Sequence, residues 1–201
     1  MAVAASAQEV RRPPLSVGMM GMFIFLASEV MFFGGLFATY FYLLGSRAEW
    51  PPPGTQAVHW YPIPFINTFL LLSSGVTMHF ASDAVQVGRR VRFLGLTLFT
   101  IILGALFEAG QAWEFAHAKI SFSGPNQFAS AFFLMTGFHG LHVMGGLILL
   151  LLVLGRGLRG HFTPEHHVFV AAATIYWHFV DVVWIFLFGI LYLSITWNSA
   201  G

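Results

Sequence analysis

Five long apolar runs, separated by short polar segments, dominate this sequence. They cover roughly residues 17–44, 66–88, 91–117, 127–155 and 168–196. Each run exceeds the roughly 20 apolar residues that a helix needs to cross a bilayer. The pattern therefore predicts an all-α polytopic membrane protein, with residues 1–201 forming a single transmembrane domain built as a bundle of five transmembrane helices.

The first apolar run raises the question of a signal peptide, because Arg11 and Arg12 precede it. A signal peptide has an apolar stretch of about 7 to 15 residues and then a small-residue cleavage site. This run is longer, carries Glu29 near its middle and has no such site after it. We therefore interpret it as a retained membrane helix.

The distribution of arginine predicts the orientation of the bundle. With five spans, the amino terminus and the loops after the second and fourth spans lie on one side of the membrane. That side holds seven arginines: Arg11, Arg12, Arg89, Arg90, Arg92, Arg156 and Arg159. The opposite side holds only Arg47 and Lys119. By the positive-inside rule, the amino terminus is predicted to be cytoplasmic and the carboxyl terminus external.

Two connecting segments carry local structural signals. Residues 50–54 and 60–62 are rich in Trp, Tyr and Pro, which predicts a stiff loop at the level of the lipid headgroups. Thr163 is followed by Pro164, and this pair predicts the N-cap and first helical position of the last helix.

Composition narrows the class of protein further. Apolar residues make up 57% of the chain and charged residues only 8%, which is not the balance of a water-soluble domain. The chain has no cysteine, so disulfides, thiolate metal sites and covalent c-type haem attachment within it are excluded. A net charge of +1 leaves no electrostatic footprint for nucleic acid.

Ionisable side chains interrupt the apolar runs, where a charge costs several kcal/mol unless it faces protein and finds a partner. Glu29 lies near the middle of the first run. His139 and His142 lie three apart in the fourth run, and His178 and Asp181 lie three apart in the fifth, so each pair shares one helix face. Further polar residues are His79 and Asp83 in the second run and Glu108, Gln111, Glu114 and His117 in the third. The last four recur every three residues and predict a polar stripe that drifts along one face toward the external interface.

Each of these residues has a structural interpretation beside a functional one. Asp83, Glu114 and His117 lie near span ends, where headgroups and water solvate polar side chains. The two three-residue pairs are expected to form hydrogen bonds between helices. Glu29 has no lysine or arginine at its depth in any span. It is therefore predicted to be protonated or hydrogen-bonded to a histidine, and proton-linked and structural roles stay equally open.

Redox-cofactor binding by this chain is not predicted. His79, His139, His142 and His178 are chemically able to ligate haem iron. The sequence, however, establishes no pair of histidines at matching depths on two helices. It also has no nucleophile elbow, phosphate-binding glycine loop or cysteine nucleophile. No catalytic, cofactor-binding or metal-ligating residue is therefore assigned.

At this point the motifs form a recognisable series. The segments are FLASEVMFF at 25–33, NT at 67–68 with LLLSSG at 70–75, QAWEF at 111–115, TGFHGLHV at 136–143 and YWHFVDVVW at 176–184. They cover every predicted span. Together they resemble subunit III of the haem–copper cytochrome c oxidases, in its short bacterial form with five spans.

The resemblance implies a non-catalytic accessory subunit of an enzyme complex that reduces oxygen to water and pumps protons in aerobic electron transport. Such a subunit carries no haem or copper, which belong to partner chains. It packs mainly on subunit I, with subunit II and further small subunits or a supercomplex as other partners, in a bacterial plasma membrane. It supports proton uptake and sustained turnover, and it binds phospholipid.

The resemblance also implies roles for individual residues. Glu29 matches the family's intramembrane glutamate, which reacts with carbodiimide. His139, His142, His178 and Asp181 match motif positions for which helix packing and hydrogen bonding are inferred. The seven-span members have two additional amino-terminal helices that close one side of a lipid-filled cleft. Without them, that cleft is expected to be open or covered by another subunit, and no lipid-binding residue is assigned.

Alternative functions remain open at this stage. A close five-span homologue serves quinol oxidases, and a related protein accompanies some nitric oxide reductases. The loop at 50–53 and residues 28–33 look more like the cytochrome c type. A proton-coupled transporter that uses Glu29, His178 and Asp181 as a relay is a remote alternative, because no internal repeats or broken helices at matched positions are found.

Overall fold

A computed structural model describes residues 16–52, 62–117 and 126–193, and all the regular elements in these ranges are helical. They are α1 (Val17–Gly45), α2 (Ile63–Gln86), α3 (Arg90–His117), α4 (Gln127–Leu158) and α5 (Val168–Phe188), which continues as a π-helical turn (Gly189–Leu193). Five helices, the fifth counted through Leu193, are long and apolar enough to cross a membrane. The predicted five-span, all-α fold is confirmed.

Capping residues set where two of these helices begin. The Ser16 side chain accepts a hydrogen bond from the Met19 amide at 3.3 Å and starts α1. The Asn126 side chain accepts from the amides of Phe128 and Ala129 and starts α4. These oxygens satisfy amide groups that have no partner in the first turn of a helix. Both helices therefore start within one residue of the predicted positions.

The predicted N-cap of the last helix is wrong. α5 begins at Val168, after His167, and the segment that contains Thr163 and Pro164 is a turn. The Thr163 hydroxyl does accept a hydrogen bond from the His166 amide, at 3.2 Å. It therefore closes that turn instead of starting a helix, and a Thr-Pro pair allows both outcomes because its capping bond spans only three residues.

The turn between α2 and α3 depends on a glycine. Gly88 has φ of 70°, the left-handed region that side chains rarely adopt. The Arg89 amide then bonds back to the Ala84 carbonyl at 2.8 Å. This tight turn makes α2 and α3 antiparallel neighbours along their full length.

Packing divides the bundle into a core and a peripheral helix. Helices α2, α3, α4 and α5 close a ring, in which each contacts its two neighbours, and α1 packs on the outside against α5 and α4. Within the apolar windows of the two helices, 50% of α5 is buried but only 11% of α1. α5 is thus the central element of the described bundle.

One end of the bundle is rich in arginine. The α2–α3 turn and the end of α4 lie together there, because Arg90 donates a hydrogen bond to the Leu158 carbonyl at 2.7 Å. Arg156 lies over the rings of Phe162 and Phe169, with its guanidinium carbon 5.4 and 4.9 Å from their centroids. We call this the arginine-rich end. Arg11, Arg12, Lys119 and most of the Trp- and Pro-rich loop, on which further sequence predictions rest, lie outside the described residues.

Candidate intramembrane site

Glu29 contacts a histidine inside the bundle. The Nε2 atom of His142 on α4 lies 2.9 Å from Oε2 of Glu29 on α1. The two side chains are 16% and 18% exposed, so the bond is largely shielded. His178, another intramembrane histidine singled out from the sequence, lies against Asp181 instead. The pair therefore joins the peripheral helix to the ring.

The contacts of His142 restrict where hydrogen atoms can lie in a Glu29–His142 hydrogen bond. Its Nδ1 lies 2.7 Å from the carbonyl oxygen of Phe138, which can only accept, so Nδ1 must carry a hydrogen. If the ring is neutral, Nε2 is an acceptor and Glu29 must donate a proton to it. If the ring is charged, Nε2 donates to a Glu29 carboxylate. In both cases a hydrogen bond between Glu29 and His142 requires one proton more than a neutral imidazole beside a carboxylate holds.

Aromatic side chains surround this pair. The Phe33 ring meets the His142 ring edge-on, with centroids 5.0 Å apart. The Tyr176 hydroxyl of α5 donates a hydrogen bond to the His142 carbonyl at 2.9 Å and so positions this part of α4. No role was predicted for Tyr176 from the sequence, although it opens the YWHFVDVVW segment. Its place two residues before His178, a motif histidine, was the available signal.

His139 has a different role from His142, although both belong to one motif. Its Nε2 donates to the Val180 carbonyl of α5 at 3.2 Å, and its side chain is fully buried. Its ring packs between those of Phe107 and Trp184, at 5.8 and 5.1 Å. His139 thus joins α4 to α5, whereas His142 joins α4 to α1.

The second motif pair is looser than the first. His178 Nδ1 lies 3.5 Å from Oδ2 of Asp181, one turn along α5. The Asp181 side chain is 9% exposed and that of His178 is 41% exposed. Among the described residues, Oδ1 of Asp181 has no hydrogen-bond partner. Gly75 of α2 makes room for this carboxylate, because a Cβ atom at Gly75 would collide with Oδ2 of Asp181.

The polar stripe of α3 faces the interior over most of its length. Glu108 lies against Gly140 of α4, where a Cβ atom would be 3.2 Å from its Oε1. Gln111 is buried and donates to Glu114 at 3.4 Å. His117 at the end of α3 is exposed and stacks on Trp113, with centroids 4.2 Å apart. The stripe thus turns outward only in its last turn.

Two tryptophans on α5 anchor the ring of helices, and their partners were not predicted from the sequence. Trp177 Nε1 donates to Oγ of Ser74, and Trp184 Nε1 donates to Oγ1 of Thr68, both at 2.9 Å. Gly104 and Gly146 form the notch that holds the Trp177 ring, since a Cβ at either would lie within 2.8 Å of it. Small and hydroxyl residues at helical spacing on α2, α3 and α4 were the signal for this packing.

The described side chains contain no group of three or more His, Asp or Glu residues arranged to hold a metal ion. The histidines instead make pairwise contacts with carboxylates, carbonyls and aromatic rings. The arrangement can therefore hold protons and set the register of helices.

Comparison with known proteins agrees with the motif series over nearly the whole chain. The family model for cytochrome c oxidase subunit III matches residues 6–199. Cytochrome c oxidase subunit 3 of Thermostichus vulcanus is 42% identical over 175 residues, which cover 87% of this chain and 86% of that protein. The subunit 3 proteins of Pelomedusa subrufa and Cyprinus carpio are 43% and 42% identical over 88% and 92% of this chain, and 68% and 71% of their own lengths. The chain therefore belongs to the cytochrome c oxidase subunit III family.

Proposed function

We propose that this chain is a non-catalytic accessory subunit of a respiratory haem–copper oxidase, which stabilises the catalytic subunit and supports its proton uptake and sustained turnover. The family match carries this proposal. Further support comes from His139 and His142, each of which uses its Nε2 atom for a contact between helices. A subunit whose polar groups serve helix packing fits a supporting role, whereas oxygen reduction and proton pumping belong to the partner chains.

The partners follow from the same proposal. Subunit I is the main contact and subunit II a second one, with further small subunits or a respiratory supercomplex as additional partners. Haem and copper reside in those chains, and phospholipid binds to this one. The complex takes electrons from cytochrome c and lies in a bacterial plasma membrane, with the amino terminus of this chain cytoplasmic.

The Glu29–His142 pair is the proton-linked element of this chain in the proposal. It holds one proton across a 2.9 Å contact, at a depth where neither lipid nor an arginine on its own helix can stabilise a bare carboxylate. His178, Asp181 and His139 complete the set of intramembrane groups, and Glu108, Gln111 and Glu114 form a secondary polar stripe.

The first experiment purifies the complex in mild detergent through a tag on this chain. We expect larger partner chains to co-purify, with haem bands in visible difference spectra that disappear when those partners are removed. Oxidase stripped of this chain should still reduce oxygen but lose activity faster during turnover. Haem retained on the isolated chain, or equal durability of stripped and intact enzyme, would contradict the proposal. A quinol donor would show as activity with quinol and none with cytochrome c.

The second experiment tests the proton on the Glu29–His142 pair. Carbodiimides react with protonated carboxyl groups, so we expect one to modify Glu29 in the intact complex and Glu29→Gln to abolish this labelling. Glu49→Gln is the matched control, because Glu49 lies beyond the end of α1 and is exposed. Absence of labelling at Glu29, with an infrared spectrum that shows it ionised and His142 neutral at pH 7, would contradict the proton count.

A further inference from the structure

Four ionisable side chains form a series along α2 and α5, separate from the Glu29–His142 pair. Asp83 Oδ2 lies 3.7 Å from His79 Nε2. The His79 and His178 rings lie side by side on the two helices, with centroids 6.1 Å apart and ring planes tilted by 49°. His178 Nδ1 in turn lies 3.5 Å from Asp181 Oδ2. We call these four residues the α2–α5 ladder.

The exposure of the ladder falls along its length. The side chains of Asp83 and His79 are 56% and 62% exposed, that of His178 is 41% exposed, and that of Asp181 is 9% exposed. Asp83 lies within one turn of the end of α2, at the arginine-rich end of the bundle. Asp181 lies 13 residues after Val168, the first residue of α5, which is about 20 Å along the helix axis at about 1.5 Å per residue. The ladder therefore leads from the membrane surface to a buried carboxyl group.

The contact distances between side chains in the ladder differ from those of the hydrogen bonds that join helices in the same bundle. His142 makes contacts of 2.7 and 2.9 Å, typical of strong hydrogen bonds. The ladder contacts of 3.5 and 3.7 Å are longer, and the centroids of the two imidazole rings are 6.1 Å apart. Loosely held imidazoles can rotate and exchange hydrogen-bond partners, which suits transfer of a proton better than fixing helix register.

The other ionisable groups on the elements packed against α5 are engaged elsewhere. Glu29 of α1 and His142 of α4 bind each other. His139 of α4 donates to the Val180 carbonyl. His178, on the same helix, contacts Asp181 directly, His79 of α2 lies beside His178, and Asp83 contacts His79. Since Asp181 Oδ1 has no hydrogen-bond partner among the described residues, protonation of this carboxyl would remove a costly buried charge.

We propose that Asp83, His79, His178 and Asp181 form a proton-transfer ladder that carries protons from the membrane surface at the arginine-rich end to the buried carboxyl of Asp181. A proton from water first binds at Asp83 or His79. His79 passes a proton to His178 through water, and the N–H bond of His178 at Nδ1 then breaks as the O–H bond of Asp181 forms. One hydronium is consumed and one carboxylate becomes a carboxylic acid. The ladder adds a proton-holding site to the accessory role and does not depend on the function of Glu29.

Infrared spectroscopy after a rapid drop in pH tests the ladder in the intact complex. The carboxylic acid band of Asp181 should grow with time in the wild type and be missing in Asp181→Asn. We expect His79→Gln to delay this band by about tenfold to a hundredfold, near the lower end of what a positioned acid–base group contributes. His117→Gln is the matched control. His117 is also an exposed histidine, but it lies at the end of α3 away from the arginine-rich end and stacks on Trp113. This variant should leave the rate unchanged.

Equal rates in His79→Gln, His117→Gln and the wild type would overturn the proposal, and so would an Asp181 that stays in one protonation state throughout the pH drop. If Asp181→Asn does not assemble, isotope-labelled aspartate in this chain alone identifies the band, because Asp83 and Asp181 are its only aspartates. The Asp83→Asn variant then leaves Asp181 as the single labelled carboxyl. The infrared measurement does not require the enzyme to turn over. If the intact complex lost activity rapidly while the Asp181 band grew at the expected rate, the proposed function would be contradicted and the ladder would not.

Discussion

The two histidine–carboxylate pairs of this bundle differ in contact distance and in how deeply their helices are buried. The Glu29–His142 contact of 2.9 Å joins α1 to α4, and α1 is the least buried span. The His178–Asp181 contact of 3.5 Å lies on α5, the most buried one. In lipid, apolar side chains gain little by associating, so a weakly packed helix depends on specific polar contacts. The tight bond is found where packing is sparse, and the loose pair is found where packing already holds the helix.

We expect the largest effect at Gly75, the glycine that makes room for the carboxylate of Asp181. Gly75→Val adds a side chain where even a Cβ atom would collide with Asp181 Oδ2. Overpacking of this kind costs about 1 to 3 kcal/mol or more, and it separates α2 from α5. We expect this variant to assemble poorly, measured as the yield of chain that co-purifies with its partners.

Gly34→Ala is the matched control for that substitution, since a Cβ atom at Gly34 would meet nothing within 4 Å. It should assemble like the wild type. Equal yields for the two variants would show that the carboxylate of Asp181 has room to move. The absence of a side chain at Gly75 would then not be required for packing of α2 against α5.

The difference between the two pairs can be measured directly with double-mutant cycles. Hydrogen bonds between membrane helices average about 0.6 kcal/mol and reach about 1.7. For Glu29→Gln with His142→Gln we expect a coupling free energy near the top of this range, because the contact is short and involves a charge or a shared proton. For His178→Gln with Asp181→Asn we expect about 0.5 kcal/mol or less, because its contact is long. The thermal stability of the complex provides the free energies.

A reversed order of these two coupling energies would contradict the view that α1 depends on its polar contact. It would instead place the main polar stabilisation on the central helix. Such a result would leave the proton count of the Glu29–His142 pair unaffected, since that count rests on the geometry of His142 and not on the strength of the bond.

The smallest effect is expected in the tryptophan anchors of α5. Trp177→Phe keeps most of the ring volume but removes the 2.9 Å hydrogen bond to Ser74, and Ser74→Ala removes the same bond from the other side. We expect Ser74→Ala to lower stability by about 0.6 kcal/mol, and the double variant to lose little more than Trp177→Phe alone. Fully additive losses, measured by thermal unfolding of the complex, would indicate that ring packing in the glycine notch matters more than the hydrogen bond.

Most of the fold follows from the sequence, because the length and composition of a run decide whether it crosses a membrane. The predicted starts of α1, α3, α4 and α5 agree with the structure to within one residue. The start of α2 at Ile63 was missed by three residues, since Pro64 is tolerated in the first turn of a helix. The cap at Thr163 was also misplaced, because its hydroxyl closes a turn that does not continue as a helix.

The candidate site was only partly accessible to sequence reasoning. His178 and Asp181 could be paired in advance, because three residues along one helix bring two side chains to the same face. The choice of His142 as the partner of Glu29 could not be made, since it depends on which face of α4 meets α1 across 113 residues of sequence. Gly75 likewise looks like any small helix residue until Asp181 is found against it.

Sequence alone therefore accounts for the spans, the membrane environment, the family and the residues that are costly to bury, because each depends on local composition or on a motif. The pairing of those residues, the division into a tight and a loose histidine–carboxylate contact, and the α2–α5 ladder exist only in the packed bundle. Helical periodicity gives the face on which a side chain lies. The rotation and depth of each helix against its neighbours decide what that face meets.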